Sequence, residues 1–225
     1  MIYSIILCAG NQKRFNSTTP KALVPFKGKT LLDYNIENFN QIVDTNIVVC
    51  SNNNKDYFSN YEKIVIDSGF GCGDAVMKAL NYINPSKSDI CFIQWGDSIQ
   101  DKQLYLYMLQ SLKDGVVIPC NYEEKPYVQI VQHNQTIKAL FSKYGDVTKK
   151  GLHDQSVFLA PANYLQQELN EFSNSIKDGE KYKHKHNNEM LFLDLFNERQ
   201  TRANVLLNNF KTFSFNTLNE LEKIR

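Results

Sequence analysis

The sequence predicts an α/β fold: a mixed, mostly parallel sheet with helices on both faces. Two observations carry this. Short β-branched apolar runs alternate with segments of helical periodicity through the first 120 residues, the order that produces parallel strands joined by crossover helices. The strand runs are also apolar at consecutive positions, as expected of strands covered on both sides. At 225 residues, with 42% hydrophobic and 22% charged residues, the chain can bury a substantial core, which excludes wholesale disorder.

The elements follow in order. Tyr3–Cys8 is a buried strand running into Ala9-Gly10. Leu31, Leu32, Ile36 and Phe39 lie near helical spacing and predict a helix over 31–39. Strands are expected at 46–50 and 63–67, and a helix starting near Gly73. A further buried strand covers 89–95 and closes on Gly96-Asp97; a helix follows over 104–112 and a strand over 115–119. Beyond residue 120 the alternation stops. A hairpin is expected around His133-Asn134-Gln135, between 128–131 and 137–141. Then come a strand over 156–160, helices over 165–172 and 190–196, a strand over 210–215 and a terminal helix over 218–224. No linker, repeat or low-complexity tract divides the chain. It reads as a single domain over 1–225, with a nucleotide-binding half (1–120) and an acceptor-binding half (121–225).

Composition narrows the partners. Lys plus Arg is 25 and Asp plus Glu 24, a net charge of +1, which lacks the basic excess of a general nucleic-acid binder. The five cysteines are odd in number and form no Cys-x-x-Cys; they read as reduced thiols. The start carries no basic segment typical of a signal peptide, and no apolar run approaches the ~20 residues a spanning helix needs. A cytoplasmic location without membrane association is expected.

Three segments carry chemistry. The first is Leu7-Cys-Ala9-Gly10-Asn11-Gln12-Lys-Arg14, followed by Pro20-Lys21-Ala-Leu-Val-Pro25 and Gly28-Lys29-Thr-Leu-Leu32. A strand entering a glycine-containing loop can turn backbone N–H groups toward phosphate oxygens. Arg14 offers a planar fork and Lys21 a compact charge. An ordinary turn with solvated basic residues is the alternative. The second is Gly69-Phe-Gly71-Cys72-Gly-Asp-Ala75, a glycine-rich helix start that a flat base can approach closely. The third is Gly96-Asp97, at the end of a central strand, where open α/β sheets place ligands. Asp97 and Ser98 also suit a helix N-cap.

Together these segments resemble the signature of the nucleoside-diphospho-sugar nucleotidyltransferases: L-x-A-G-x-G-x-R, then P-K-x-L-x-P and G-K-P-L-L. Gln12 stands where that family has its second glycine, and Thr30 where it has proline. The resemblance implies a Rossmann-like fold and a nucleotidyltransferase that joins an NTP to a phosphorylated acceptor, such as a sugar 1-phosphate, releasing pyrophosphate. By the same comparison Leu7, Ala9, Gly10, Asn11, Gln12, Gly71, Cys72 and Asp97 would contact the nucleotide. Arg14 and Lys21 would neutralise its triphosphate. Asp97 and Asn216, the latter in Phe213-Ser-Phe-Asn216, would hold Mg²⁺. Lys143, in Lys138-Ala-Leu-Phe-Ser-Lys143, resembles the lysine that meets the acceptor phosphate. Asn216 suits a helix cap equally well.

Pro126-Tyr-Val128 resembles P-x-x-Y-G, with Val128 replacing the glycine that makes room for an amino-sugar. This points to a second reading, a cytidylyltransferase for a non-sugar phosphate of the phosphocholine or polyol kind. A third is a non-catalytic nucleotide-binding protein of the same fold. Lys181-Tyr-Lys-His-Lys-His186 reads as a solvated loop, or as a grip for an anionic acceptor. A homo-oligomer is compatible with all of this.

Overall fold

The structure of the protein is a computed structural model. The structure describes residues 1–10, 19–67, 69–147, 149–179, 181–183, 188–215 and 217–222. Asn11, Gln12, Arg14 and Asn216 lie outside the described residues, as do His184, Lys185 and His186 of the basic run.

A ten-stranded mixed sheet runs through both halves of the chain. Its strands are β1 (Ile2–Leu7), β2 (Thr45–Ser51), β3 (Lys63–Ile66) and β4 (Ile90–Trp95) in the first half. A short β5 (Ser98–Gln100) follows outside the main sheet. The second half adds β6 (Val116–Glu123), β7 (Val128–His133), β8 (Thr136–Phe141), β9 (Gly151–Asp154), β10 (Val157–Pro161) and β11 (Ala203–Leu207). The order is β8-β7-β9-β6-β10-β4-β1-β2-β3, with β11 also on β6. From β3 to β4 every pair is parallel. The strands from β10 to β8 pair antiparallel, and β11 returns parallel to β6.

Helices cover both faces. On one side α2 (Cys72–Ile83), α4 (Ala162–Ile176) and α5 (Asp194–Arg199) bury Val76, Leu80, Leu165, Phe172 and Phe196 against Ile5, Ile93 and Phe158. On the other, α1 (Leu31–Phe39) and α3 (Lys102–Ser111) bury Leu32, Phe39, Tyr105 and Met108 against Ile6, Val48 and Phe92. Alternate residues of the central strands thus enter two cores, which explains their unbroken apolar runs. Thr30 N-caps α1, its hydroxyl accepting from the Asp33 N–H at 3.1 Å.

Three expectations needed correction. The helix expected over 190–196 begins only at Asp194; residues 190–192 instead lie along Phe70–Gly73, with the Met190 N–H donating to Phe70 O and the Gly73 N–H to Met190 O, both at 2.8 Å. Periodicity misled because this stretch is apolar on account of burial, not of helical facing. Strands β9 and β11 were not anticipated. Both are short, and each is held by pairing with β6, a long-range feature. The late strand is shorter than expected: β12 (Thr212–Ser214) pairs antiparallel with β5. A short helix, α6 (Leu218–Glu222), follows it.

Candidate active site

Parallel strands deliver all their C-terminal ends to one edge, so the turns after β1, β2 and β4 meet there. Past β1, the Cys8 N–H still donates to Val49 O at 2.7 Å, and Cys8 O accepts from Asn54 Nδ2 at 2.8 Å. Leu7 and Ala9 are half-buried and Gly10 is exposed. At Gly96 the chain turns tightly against β1: a Cβ there would lie 2.7 Å from Cys8 Sγ and 2.9 Å from Leu7 O. Burial, then the Asp97 charge, pushes the Cys8 thiol far up, the direction opposite to that of an activated thiolate.

The chain re-enters at Thr19-Pro20 and forms a single 3₁₀ turn over Lys21–Leu23. Lys21 is only 8% exposed. Its Nζ donates to Asp97 Oδ2 at 3.2 Å and to Phe215 O at 3.1 Å, and lies 5.9 Å from the Phe215 ring centroid. A buried ammonium requires such acceptors. Lys21 is therefore not a solvated basic residue of an ordinary turn. The Asp97 side chain remains 32% exposed. Asp97 is no helix cap either. β5 follows it directly, and α3 is capped by Asp101, whose Oδ1 accepts from the Gln103 N–H at 2.9 Å.

Phe215 reaches this place because β12 pairs with β5, matching Ser214 to Ser98. One residue further on each strand are Phe215 and Asp97. The ring of Phe215 closes a small third core with Val24, Phe26, Leu31, Ile99 and Leu221. The cluster thus joins three sequence-distant segments, 20–26, 96–100 and 212–215. The Phe215 carbonyl was not anticipated, since a backbone acceptor leaves no signature in the sequence.

At the second segment, Gly71 has φ +95°, and a Cβ on it would lie 2.4 Å from Met190 O; on Gly73 it would lie 2.9 Å from the same atom. What these glycines admit is the Met190 main chain. Cys72 Sγ accepts from the Phe192 N–H at 3.3 Å, and burial raises its thiol. Trp95 sits between the halves, 5.1 Å from the Phe158 ring and 5.9 Å from that of Phe192. Asp74, absent from the sequence-based candidates, is buried: its Oδ1 accepts from the Tyr182 hydroxyl at 2.7 Å and its Oδ2 lies 2.9 Å from Lys78 Nζ. Burial first, then Asp74, pushes the Tyr182 phenol up to about 12. Tyr182 is thus a buried anchor, while Lys181 and Lys183 beside it are exposed.

Lys143 follows β8 in a 3₁₀ turn over Ser142–Tyr144. It is exposed, its Nζ 4.7 Å from the Tyr144 ring and 5.7 Å from that of Phe141. No contact among the described residues joins it to Lys21 or Asp97. Val128 is buried in β7, and its carbonyl oxygen lies 2.9 Å from His153 Nδ1.

A metal would find no group of three or more His, Cys, Asp and Glu side chains among the described residues. Mg²⁺ asks less: one or two carboxylates plus phosphate oxygens and water. A partly exposed carboxylate held in place by Lys21 suits that mode.

The model of the MobA-like NTP transferase domain matches residues 4–162. The chain belongs to the MobA-like NTP transferase domain family. In this NTP transferase, the match includes Lys21 and Asp97 but ends at the start of α4, so the Phe215 carbonyl comes from beyond it. The bifunctional protein GlmU of Wolbachia sp. subsp. Brugia malayi (strain TRS) is 29% identical over 150 residues, 63% of this chain and 37% of that protein. The chain thus spans little more than a third of that relative's length. Among solved structures, HddC of Yersinia pseudotuberculosis, complexed with GMP-PN, shares the fold with TM-score 0.72 and 16% identity, over 99% of this chain and 97% of that one. LicC of Streptococcus pneumoniae, a CTP:phosphocholine cytidylyltransferase, does so with TM-score 0.73 and 14% identity, again over 99% and 97%. No helix among the described residues is long and apolar enough to cross a membrane.

Proposed function

We propose that the protein is a Mg²⁺-dependent nucleotidyltransferase that joins an NTP to a phosphorylated acceptor, a sugar 1-phosphate in the first reading, and releases pyrophosphate. The observation that carries this is the buried Lys21, paired with Asp97 at the carboxyl edge of the central strands. An oxygen of the acceptor phosphate attacks the α-phosphorus of the NTP, the bond to the bridging oxygen of the β-phosphate breaks, and pyrophosphate leaves. The nucleophile is already an anion, so no covalent enzyme intermediate is required. The chain's task is alignment and charge neutralisation. Lys21 and Arg14 offset triphosphate charge; Asp97 and Asn216 would hold the Mg²⁺, which supplies Lewis-acid polarisation of the α-phosphate when bound. Lys143 orients the acceptor.

The second reading, a cytidylyltransferase for a non-sugar phosphate, is favoured by Val128. This residue, buried in β7, stands where the resembling motif has the glycine that makes room for an amino-sugar. LicC, with which the chain shares its fold, acts on phosphocholine and CTP by its description.

The deciding experiment is pyrophosphate release from each of the four NTPs, with and without a panel of sugar 1-phosphates, phosphocholine and polyol phosphates. Release from one NTP with one acceptor class supports the proposal and chooses between the readings. No release with any pair, despite nucleotide binding, would establish the non-catalytic alternative. Expected locations and partners follow the same reading: a cytoplasmic enzyme of small molecules, without nucleic acid.

A further inference from the structure

The Lys21 cluster depends on a ribbon that could not hold itself. β5 and β12 contribute three residues each, and an isolated two-stranded pair is marginal in water. At the end of the ribbon away from Asp97, its place is fixed by a buried ring of amides. Gln155, 2% exposed, stands in the turn before β10. Its Nε2 donates to Phe210 O and to Thr212 Oγ1, both at 2.9 Å, and its Oε1 accepts from Asn208 Nδ2 at 2.7 Å. The Thr212 hydroxyl donates to Gln100 Oε1 at 2.7 Å, and Gln100 Nε2 donates back to the Gln155 carbonyl. Gln100 is 1% exposed and is the register partner of Thr212. The ring therefore clamps both strands of the ribbon at one rung. Three residues on, along each strand, are Asp97 and Phe215, both of which accept from the Lys21 ammonium.

Gln155 is tied to the central strand as well. The neighbouring Ser156 O accepts from the Trp95 N–H at 3.1 Å, and the Gln155 N–H donates to Pro119 O at 3.0 Å. The Gln155-Ser156 pair thus references the ribbon to β4 and β6 together. A carboxylate could not serve, because two of its contacts require an N–H donor. An apolar side chain would take from the half-buried Asn208 and Phe210 carbonyl the contacts that Gln155 makes with them.

We infer that Gln155 is a positioning residue of the nucleotidyltransferase site, acting through Gln100 and Thr212 to set the distance between Asp97 and the Phe215 carbonyl around Lys21. The inference rests on the reading of that cluster as the triphosphate and metal site. Its action is confined to alignment, so its loss should weaken binding of the magnesium–nucleotide complex without removing any charged group.

The test uses Gln155→Met and, against the chance that this variant fails to fold, Thr212→Val, which breaks the ring at the ribbon. Thr212→Ser restores the hydroxyl. Trp95 is the single tryptophan, so its fluorescence reports titration with each NTP plus Mg²⁺ in the full chain. Amide hydrogen exchange of residues 212–215 is followed without nucleotide. Gln155→Met and Thr212→Val should each raise the apparent Kd for the magnesium–nucleotide by about tenfold or more, the scale of a lost buried hydrogen bond. Both should also lose protection across 212–215, and Thr212→Ser should stay within about twofold of wild type. A wild-type chain that binds none of the four nucleotides overturns the functional reading. Binding and protection equal to wild type in Thr212→Val, whatever its melting temperature, overturns the inference alone.

Discussion

The two halves of the sheet place their side chains by different rules. In the parallel half, β1, β2, β3 and β4 point the same way, so every loop after a strand arrives at one edge. Asp97 and the Cys8–Gly10 loop converge by topology alone. In the antiparallel half, successive strands end at opposite edges, and a residue following a strand has no common destination. Lys143, singled out in a segment that follows a strand, is brought into no contact with the Lys21 cluster among the described residues. Shared direction makes a motif informative, whereas alternating direction hands the decision to packing.

The sharpest way to break this contrast is at the cluster itself. Asp97→Asn should lower kcat/KM by about 10²–10³-fold, since it removes the carboxylate proposed to hold Mg²⁺ at the reacting phosphates. The melting temperature should fall as well, because the neutral amide leaves the buried Lys21 ammonium without its carboxylate partner. Steady-state kinetics against Mg²⁺ concentration, with a thermal melt alongside, provides the check. Unchanged kinetics would remove Asp97 from the site.

The seam between the halves is tested at Gly71. Alanine there must adopt φ +95° and push its Cβ against Met190 O. We expect a loss of about 3 kcal/mol or more, read as a fall in melting temperature of about 6–12 °C or more. A stable variant would show that residues 190–192 are free to withdraw.

On the antiparallel side, Lys143→Ala should raise the acceptor KM by about tenfold while leaving the NTP KM alone, because an exposed charge contributes modestly and locally. The comparison of the two KM values decides it. An effect on the NTP alone would assign Lys143 to the nucleotide half instead.

The smallest effect is expected at Asp154. Burial raises its pKa above the ordinary carboxylate range, outweighing the nearby His153. The native state then holds its proton to higher pH than the unfolded chain, so stability declines as pH rises from the ordinary carboxylate pKa through the raised one. Asp154→Asn keeps the acceptor used by the Ser156 N–H and should abolish that decline. Its melting temperature at pH 7 should equal wild type or exceed it by about 1–3 °C. Melts from pH 4 to 8 measure the slope, which should flatten.

How much of this was legible follows from where each signal resides. The sequence by itself determined the strands of the parallel half, the helix over 31–39 and the placing of Asp97 at a strand end, because apolar runs and spacing are local consequences of burial on two faces. It also carried the Pro20-Lys21 and Gly96-Asp97 segments that led to the family. Periodicity failed at 190–192, where the apolar stretch packs on Gly71 and Gly73 without being helical. Only the tertiary structure decided that Lys21 is buried, that its second acceptor is the Phe215 carbonyl, and that Gln155, Gln100 and Thr212 share one ring. A backbone oxygen has no residue type, and a glutamine carries the same letter in solvent or in a core. Their roles arise from contacts between positions as far apart as Lys21 and Phe215, which only the folded chain brings within 3.1 Å.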